Sequence, residues 1–229
     1  MKSLAAVLLV LSPLAIAGAQ SNPSDTLADR SGGRATEFWI GYSPRSPKWG
    51  VLGNRPGLSF GLGAARTTRR IKTTPRYALD YTIDFVPIAL SSPPLGYTQV
   101  FQGTPQPKPA DRTLCTIPLV GCPFPPGSAY GAGVSPLGIT AIYRRDRVVQ
   151  PRLGATGGFL MFDKAVPTVV STRFNFTATI EGGVQILSKR GDGVLLVYRF
   201  HHLSNAGTGY DNSALASHVI SIGGRFRAR

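Results

Sequence analysis

The chain has 229 residues, with 25 Lys and Arg against 11 Asp and Glu, so its formal net charge is +14. This length allows one domain, or two at most. Only 16% of the residues are charged, which excludes a coiled coil and a typical disordered chain, and the 27 Gly and 19 Pro disfavour a helical bundle. The two cysteines are too few for a disulfide scaffold, and no CxxC or paired Cys/His spacing predicts a zinc site.

The N-terminus predicts export. Lys2 precedes an apolar run from Leu4 to Ala17, and Ala17-Gly18-Ala19 is a small-x-small cleavage pattern, so residues 1–19 are predicted to be a signal peptide. The run is too short for a membrane-spanning helix, and no Cys follows it as in a lipoprotein. Its removal takes away one positive charge and leaves +13. Such a basic exported chain predicts an anionic partner: a phosphorylated lipid or a polyanionic sugar, with nucleic acid the weakest candidate.

After a polar leader at 20–35, expected in the periplasm, the sequence alternates between apolar and polar residues. A period of two is the pattern of half-buried β-strands. The clearest example is 174–186, where the even positions are apolar or Gly. In chain order, eight strands are predicted: around Phe38–Tyr42, around Leu58–Gly63, Tyr77–Phe85, about 137–145, Arg152–Met161, Phe174–Ile186, about 193–204 and about 217–226.

Two all-β architectures accept eight strands, a soluble sandwich and a closed barrel. One face of the strands carries charged residues of both signs, and the other carries large apolar residues. Strands of about 9–11 residues or more favour an antiparallel transmembrane barrel of the outer membrane, with the apolar faces on lipid and the charges paired inside. A passive pore is disfavoured because side chains fill so small a barrel. The charged residues are Glu37, Asp80, Asp84, Arg152, Glu181, Arg199 and Arg225.

The connections alternate in length, which supports the barrel. They are short after the second, fourth and sixth strands, as expected for periplasmic turns. The barrel is predicted to occupy 36–229, with a long extracellular loop at about 88–135. Cys115 and Cys122 lie in that proline-rich loop, and in an oxidising compartment they are predicted to form a structural disulfide.

The seventh strand carries the residues with chemical potential. Alternation places His202 and Ser204 on the lipid-facing side, close enough for His202 to take the proton of Ser204 as it attacks an acyl carbon. Asn205 and the backbone amides near Ala206 and Gly207 are positioned to hold an oxyanion. The alternative is a chance His-x-Ser pair followed by a simple turn. His201 falls on the opposite, luminal face.

The stretch from Tyr198 to Gly209, YRFHHLSNAGTG, closely resembles the signature of the PagL-type lipid A deacylases, also called acyloxyacyl hydrolases. The resemblance covers roughly the last 95 residues. It implies an outer-membrane barrel that removes an ester-linked acyl chain from lipid A, with lipopolysaccharide and outer-membrane lipids as partners and no metal or cofactor. It also implies that His202 is the base, Ser204 the nucleophile and Asn205 the oxyanion donor.

One position departs from the family pattern. The acid that orients the histidine would fall at Ala216, and loss of such an acid costs about 10⁴ in rate in the serine-protease template. Asp211 is the only acid nearby in sequence and is a possible substitute, whereas His218 cannot replace an anion. The rival interpretation is therefore a barrel of the same family that has lost catalysis and serves as a structural or surface-binding protein.

Overall fold

The computed structural model describes residues 34–47, 57–93, 124–125, 127–209 and 214–227. The predicted signal peptide, the leader up to residue 33, the two cysteines and Asp211 lie outside these residues. In the described part of the chain, no helix is long and apolar enough to cross a membrane.

Eight antiparallel strands form a closed barrel in sequence order, and β1 pairs with β8 to complete it. This confirms the predicted fold class. The strands are 10 to 16 residues long, which is the length that crosses a bilayer at a tilt. Their bounds are β1 Arg34–Ser43, β2 Ser59–Thr73, β3 Tyr77–Ser92, β4 Ala129–Tyr143, β5 Val149–Phe162, β6 Phe174–Leu187, β7 Gly193–Ser204 and β8 Ala214–Arg227.

The two ends of the barrel differ in the length of their connections. Residues 74–76, 144–148 and 188–192 connect strands at one end, which we call the short-turn end. Longer segments, including 163–173 and 205–213, connect strands at the other, the long-loop end. In outer-membrane barrels, the short turns face the periplasm and the longer loops face outward from the cell.

The third connection is shorter than the expected loop at 88–135. It comprises residues 93–128, because β3 continues to Ser92 and β4 already begins at Ala129. The exposed Pro87 lies within β3, where the pairing with β4 shifts register between Val86 and Ala89. An irregularity of this kind accommodates proline, which has no N–H to donate, so a strand can continue through it.

Paired charges occupy the barrel interior, as predicted. Glu37 accepts hydrogen bonds from Arg152 and Arg225, and Glu181 accepts them from Arg152, Arg199 and Arg66. The sequence analysis did not single out Arg66, which also donates to Asp84 with both Nε and Nη2. Because every acid faces at least one guanidinium, the interior is a network of ion pairs rather than an open channel.

Nearer the long-loop end, the interior is apolar, and here one expectation is wrong. The expectation that the large apolar faces contact lipid does not hold for Leu58, Phe60 and Leu62 of β2, which are buried inside the barrel and pack with Trp39 and Leu203. The even-numbered residues of β2 from Phe60 to Arg66 all point into the barrel, so its odd-numbered residues point outward. The outward face of β2 therefore carries small residues, including Gly61 and Gly63.

Large apolar side chains cover the outside of the other strands. Their exposure in the isolated chain marks the band that contacts lipid. Typical members are 51–69% exposed: Phe38, Ile40, Phe85, Leu137, Ile139, Leu153, Ile180, Leu196 and Ile220.

Candidate functional site

The two faces of β7 carry different chemistry. His202 and Ser204 point outward, in line with the exposed Val194, Leu196 and Tyr198. Both are among the last three residues of β7, just before the segment at 205–213, and therefore lie at the long-loop end. The structure therefore brings the predicted histidine and serine together on one outward face.

Alanine occupies three of the four positions directly opposite this pair on the neighbouring strands, and the fourth, on β6, is aromatic. His202 lies opposite Ala178 on β6 and Ala216 on β8, and Ser204 lies opposite Ala214 on β8. Since directly opposed residues share a face, these alanines form a strip of small side chains across the three strands. Within this strip Ala214 and Ala216 are buried, whereas Ala178 is exposed.

An aromatic cluster borders the strip on the β6 side. The Phe159 and Phe174 rings stack with centroids 5.4 Å apart, and Phe174 meets Phe176 edge to face at 5.2 Å. Phe176 is the residue opposite Ser204. The sequence analysis placed these residues on strands but did not assign them to the site. The sequence signal that could have identified them is that all three occupy outward-facing positions in the alternating pattern.

The turn after β7 brings a backbone donor to the serine. The Ala206 N–H donates to Ser204 Oγ at 3.3 Å. Ala206 and Gly207 both have left-handed backbone conformations, with φ of 50° and 77°. This conformation turns the chain sharply back toward Ser204, so an N–H lies beside the candidate nucleophile.

Asn205 has a buried side chain that supports this turn. Its Oδ1 accepts a hydrogen bond from the Gly207 N–H at 3.1 Å, and its carbonyl accepts from the Thr208 N–H at 3.0 Å and the Thr208 hydroxyl at 2.7 Å. The residue predicted as oxyanion donor thus fixes the conformation of the segment that contains Ala206 and Gly207.

No carboxylate stands opposite the imidazole at the position where the family pattern has an acid. That position is Ala216, whose methyl group neither accepts nor donates a hydrogen bond. His218, on the same face, is engaged with Tyr198: its Nδ1 forms a hydrogen bond with the Tyr198 hydroxyl, and the ring centroids are 5.8 Å apart.

His201, in contrast, belongs to the interior, as its parity predicted. Its ring stacks on Phe60 at 5.1 Å, and its Nδ1 lies 2.8 Å from the Thr179 hydroxyl. Among the described residues, no group of three His, Cys, Asp or Glu side chains is arranged to hold a metal ion. The candidate site therefore consists of His202, Ser204 and the turn at 205–208.

Comparison with known families supports the resemblance carried by β7. The family model described as "Lipid A 3-O-deacylase (PagL)" matches residues 119–225, which include β4 through most of β8 and the whole candidate site. A search of curated proteins found no match. The resemblance to the PagL-type family is thus confirmed over the C-terminal part of the chain.

One solved structure confirms the fold. The crystal structure of the outer membrane enzyme PagL matches with a TM-score of 0.52 and 11% identity, covering 84% of this chain and 99% of that one. Neisserial surface protein A matches with a TM-score of 0.43 and 14% identity, covering 86% and 98%. OprG from Pseudomonas aeruginosa matches with a TM-score of 0.39 and 9% identity, covering 86% and 98%. The chain is a closed eight-stranded antiparallel β-barrel with a fold similar to that of PagL.

Proposed function

We propose that this chain is an outer-membrane serine esterase that removes an ester-linked acyl chain from lipid A. The observation that carries the proposal is the His202 and Ser204 pair on the outward face of β7, at the long-loop end of the barrel. This position corresponds to the outer leaflet, where lipid A lies. The family match over residues 119–225 and the basic composition of the chain, suited to the phosphates of lipid A, support the same substrate.

The proposed reaction is acyl transfer through the serine. His202 takes the proton of Ser204 as Oγ bonds to the ester carbonyl carbon, and the carbonyl oxygen becomes negatively charged. The bond to the sugar oxygen then breaks, and the imidazolium returns its proton to that oxygen. Water, deprotonated in turn by His202, then attacks the carbonyl carbon of the acyl-serine. The bond from that carbon to Ser204 Oγ breaks, the imidazolium returns its proton to Oγ, and the fatty acid is released. Each step moves one proton and needs no metal or cofactor.

The turn after β7 provides the proposed oxyanion pocket. The Ala206 N–H lies 3.3 Å from Ser204 Oγ, so it is adjacent to the oxygen that develops on the bound ester. Asn205 contributes by fixing this turn through its hydrogen bond with Gly207. A preorganised backbone donor of this kind is worth about 10²–10³ in rate in serine hydrolases.

The third feature of the proposed site is its acid. Ala216 lacks the carboxylate that would hold the imidazole in the correct tautomer. We propose Asp211 as its substitute, because it is the acid nearest in sequence between β7 and β8. Without such an acid we expect slow turnover rather than none, since the serine, the base and the backbone donor remain.

Mass spectrometry of lipid A tests the proposal. Refolded wild-type protein, Ser204→Ala and a matched control, Ser59→Ala, are each incubated with lipid A in mixed micelles. Ser59 is suited as the control because it lies on the outward face of β2 at the same end of the barrel. We expect wild type and Ser59→Ala to release one acyl chain at the same rate and Ser204→Ala to release it about 10²-fold more slowly. Equal release by Ser204→Ala would reject the serine mechanism.

The second candidate is a barrel of this family that has lost catalysis and acts as a structural or surface-binding protein. Ala216 opposite His202 is the observation that favours it. In that case, folded wild-type protein releases no acyl chain at any time point. Asp211→Asn separates the possibilities further: loss of a measurable wild-type rate would support Asp211 as the acid, and an unchanged rate would remove it from the site.

A further inference from the structure

A second outward-facing feature lies far from the candidate esterase site, on β1 to β3. It has a concavity of about 460 Å³ at the short-turn end, lined on its outward side by Arg34, Thr36, Thr67, Arg69, Tyr81 and Ile83. In the barrel, β1 and β8 separate β2 from β7. The feature therefore shares no strand with His202 and Ser204, and the esterase proposal does not use it.

Two arginines are directly opposed at this concavity. Arg34 on β1 pairs with Arg69 on β2, and both side chains are exposed on the outer face. Like charges in directly opposed positions of a sheet destabilise it. Within the described ranges neither guanidinium has a carboxylate partner, because the acids of these three strands, Glu37, Asp80 and Asp84, are buried in the interior. The pair is suited to an anion that lies between the two cations.

A groove leads away from the arginines along β2. Its floor consists of the outward residues Thr67, Ala65, Gly63 and Gly61, and we call it the β2 groove. Apolar side chains that are 53–65% exposed form the two walls: Phe38, Ile40 and Tyr42 on β1, and Phe85 and Ile88 on β3. The groove is therefore apolar along its length and cationic at its periplasmic end.

The barrel's own packing does not require glycine at the floor. A Cβ at Gly61 or Gly63 would come no closer than 3.8 Å to any neighbouring atom, which is ordinary van der Waals contact. By contrast, a Cβ at Gly223 would lie 2.4 Å from the Phe38 carbonyl oxygen. The small residues of the groove thus leave open space on the lipid side that larger side chains would fill.

The dimensions of the groove match one half of a bilayer. The seven residues from Gly61 to Thr67 are separated by six steps of about 3.3 Å, so they span about 20 Å. At a tilt of about 40°, this corresponds to a depth of about 15 Å, or half of a hydrocarbon core of about 30 Å. A cation pair at the membrane surface followed by an apolar groove one leaflet deep matches a phosphate attached to an acyl chain.

We propose that the β2 groove binds a glycerophospholipid of the periplasmic leaflet, with its phosphate between Arg34 and Arg69 and one acyl chain along Thr67, Ala65, Gly63 and Gly61. Guanidinium groups recognise phosphate through paired hydrogen bonds, which accounts for arginine at both positions. The bound lipid neutralises the opposed cations and fills the groove. Binding here holds an intact phospholipid and involves no covalent step.

Native mass spectrometry of the refolded barrel in detergent tests this site. Dipalmitoyl phosphatidylglycerol is the probe, and dipalmitoylglycerol, which lacks the phosphate, and inorganic phosphate are the comparison ligands. We expect phosphatidylglycerol to bind at least ten times more tightly than dipalmitoylglycerol, and millimolar inorganic phosphate not to displace it. Displacement by inorganic phosphate would show a simple anion site and would overturn the proposal.

Variants locate the binding. Arg34→Gln/Arg69→Gln should weaken phosphatidylglycerol binding at least tenfold, whereas Arg147→Gln, which removes a 69%-exposed arginine from the same end of the barrel, should leave it unchanged. Gly63→Leu should weaken binding by filling the groove, and Ala155→Leu, which adds the same side chain to the outward face of β5, should not. Each variant is checked for folding by the heat-dependent shift of its gel mobility. Equal losses in test and control variants would overturn the proposal.

Discussion

The two faces of β7 show how one strand serves two environments. His201 and His202 are adjacent, but His201 stacks on Phe60 in the interior and His202 lies beside Ser204 on the lipid side. The interior face is held by Thr179 and by the pairing of Arg199 with Glu181, whereas the outward face is bordered by alanines. Structural polar residues are thus enclosed by partners, and the candidate chemical residues are left accessible.

Restoring the acid of the outward face should produce the largest change. Ala216→Glu places a carboxylate opposite His202, and loss of the equivalent acid costs about 10⁴ in the serine-protease template. We therefore expect the rate of lipid A deacylation to rise by up to about 10⁴, measured by mass spectrometry over time. Ala214→Glu, which puts the same group opposite Ser204, is the matched control and should give no gain. Equal rates in wild type and Ala216→Glu would show that the site does not lack an acid and would favour Asp211 in that role.

On the interior face, the strongest expected effect is on stability. Glu181→Gln removes the acid shared by Arg66, Arg152 and Arg199 and leaves buried positive charge uncompensated, which costs about 3–5 kcal/mol. A urea titration of the refolded barrel measures this change in the free energy of unfolding. The exposed pair of Asp146 and Arg147 provides the control, since Asp146→Asn should cost no more than about 1 kcal/mol. Similar losses in the two variants would show that burial is unimportant here.

Removal of Ser204 or His202 should lower the deacylation rate less than the same removal does in an enzyme with a complete triad. In subtilisin, loss of all three triad residues costs about 2 × 10⁶ in kcat and loss of the acid alone about 3 × 10⁴. If the site already lacks its acid, removal of the serine or the histidine can lower the rate only by the remaining factor of about 10². Ser204→Ala and His202→Ala should therefore each lower deacylation about 10²-fold, and the double variant no further. Additive losses would argue against a joint role.

His201→Ala should separate the faces most directly. It removes the stacking on Phe60 and the contact with Thr179, so we expect a loss of about 1–3 kcal/mol in unfolding free energy. The deacylation rate should stay within about twofold of wild type, since the ring does not reach the lipid side. A deacylation rate as low as that of His202→Ala would show that the interior face of β7 also contributes to the reaction.

Alternation in the sequence was sufficient to predict the eight-stranded barrel and the outward position of His202 and Ser204. Alternation did not predict the inward face of β2 correctly, because a period of two separates the two faces of a strand without showing which one lies inside the barrel. Phe60 is as apolar as a lipid-facing residue, and the opposite face of glycines is equally compatible with lipid. Only Arg66, of the same parity as Phe60, identifies the interior side.

The details of the site depend on tertiary structure that the sequence pattern does not contain. The approach of the Ala206 N–H to Ser204 results from a left-handed turn, and the burial of Asn205 results from the packing around that turn. Pairing of His202 with Ala216 depends on the register of β7 and β8. The resemblance to the family anticipated this last pairing by aligning the missing acid with position 216.

The ion pairs of the interior join walls that are not neighbours. Arg66 of β2 reaches Glu181 of β6, and Arg152 of β5 reaches Glu37 of β1. No single hairpin contains both members of these two pairs, whereas the pairs of Arg66 with Asp84 and of Arg199 with Glu181 each lie within one hairpin. The hairpins therefore bring some of their own compensating charges, and the remaining pairs form only when strands distant in sequence meet across the barrel interior.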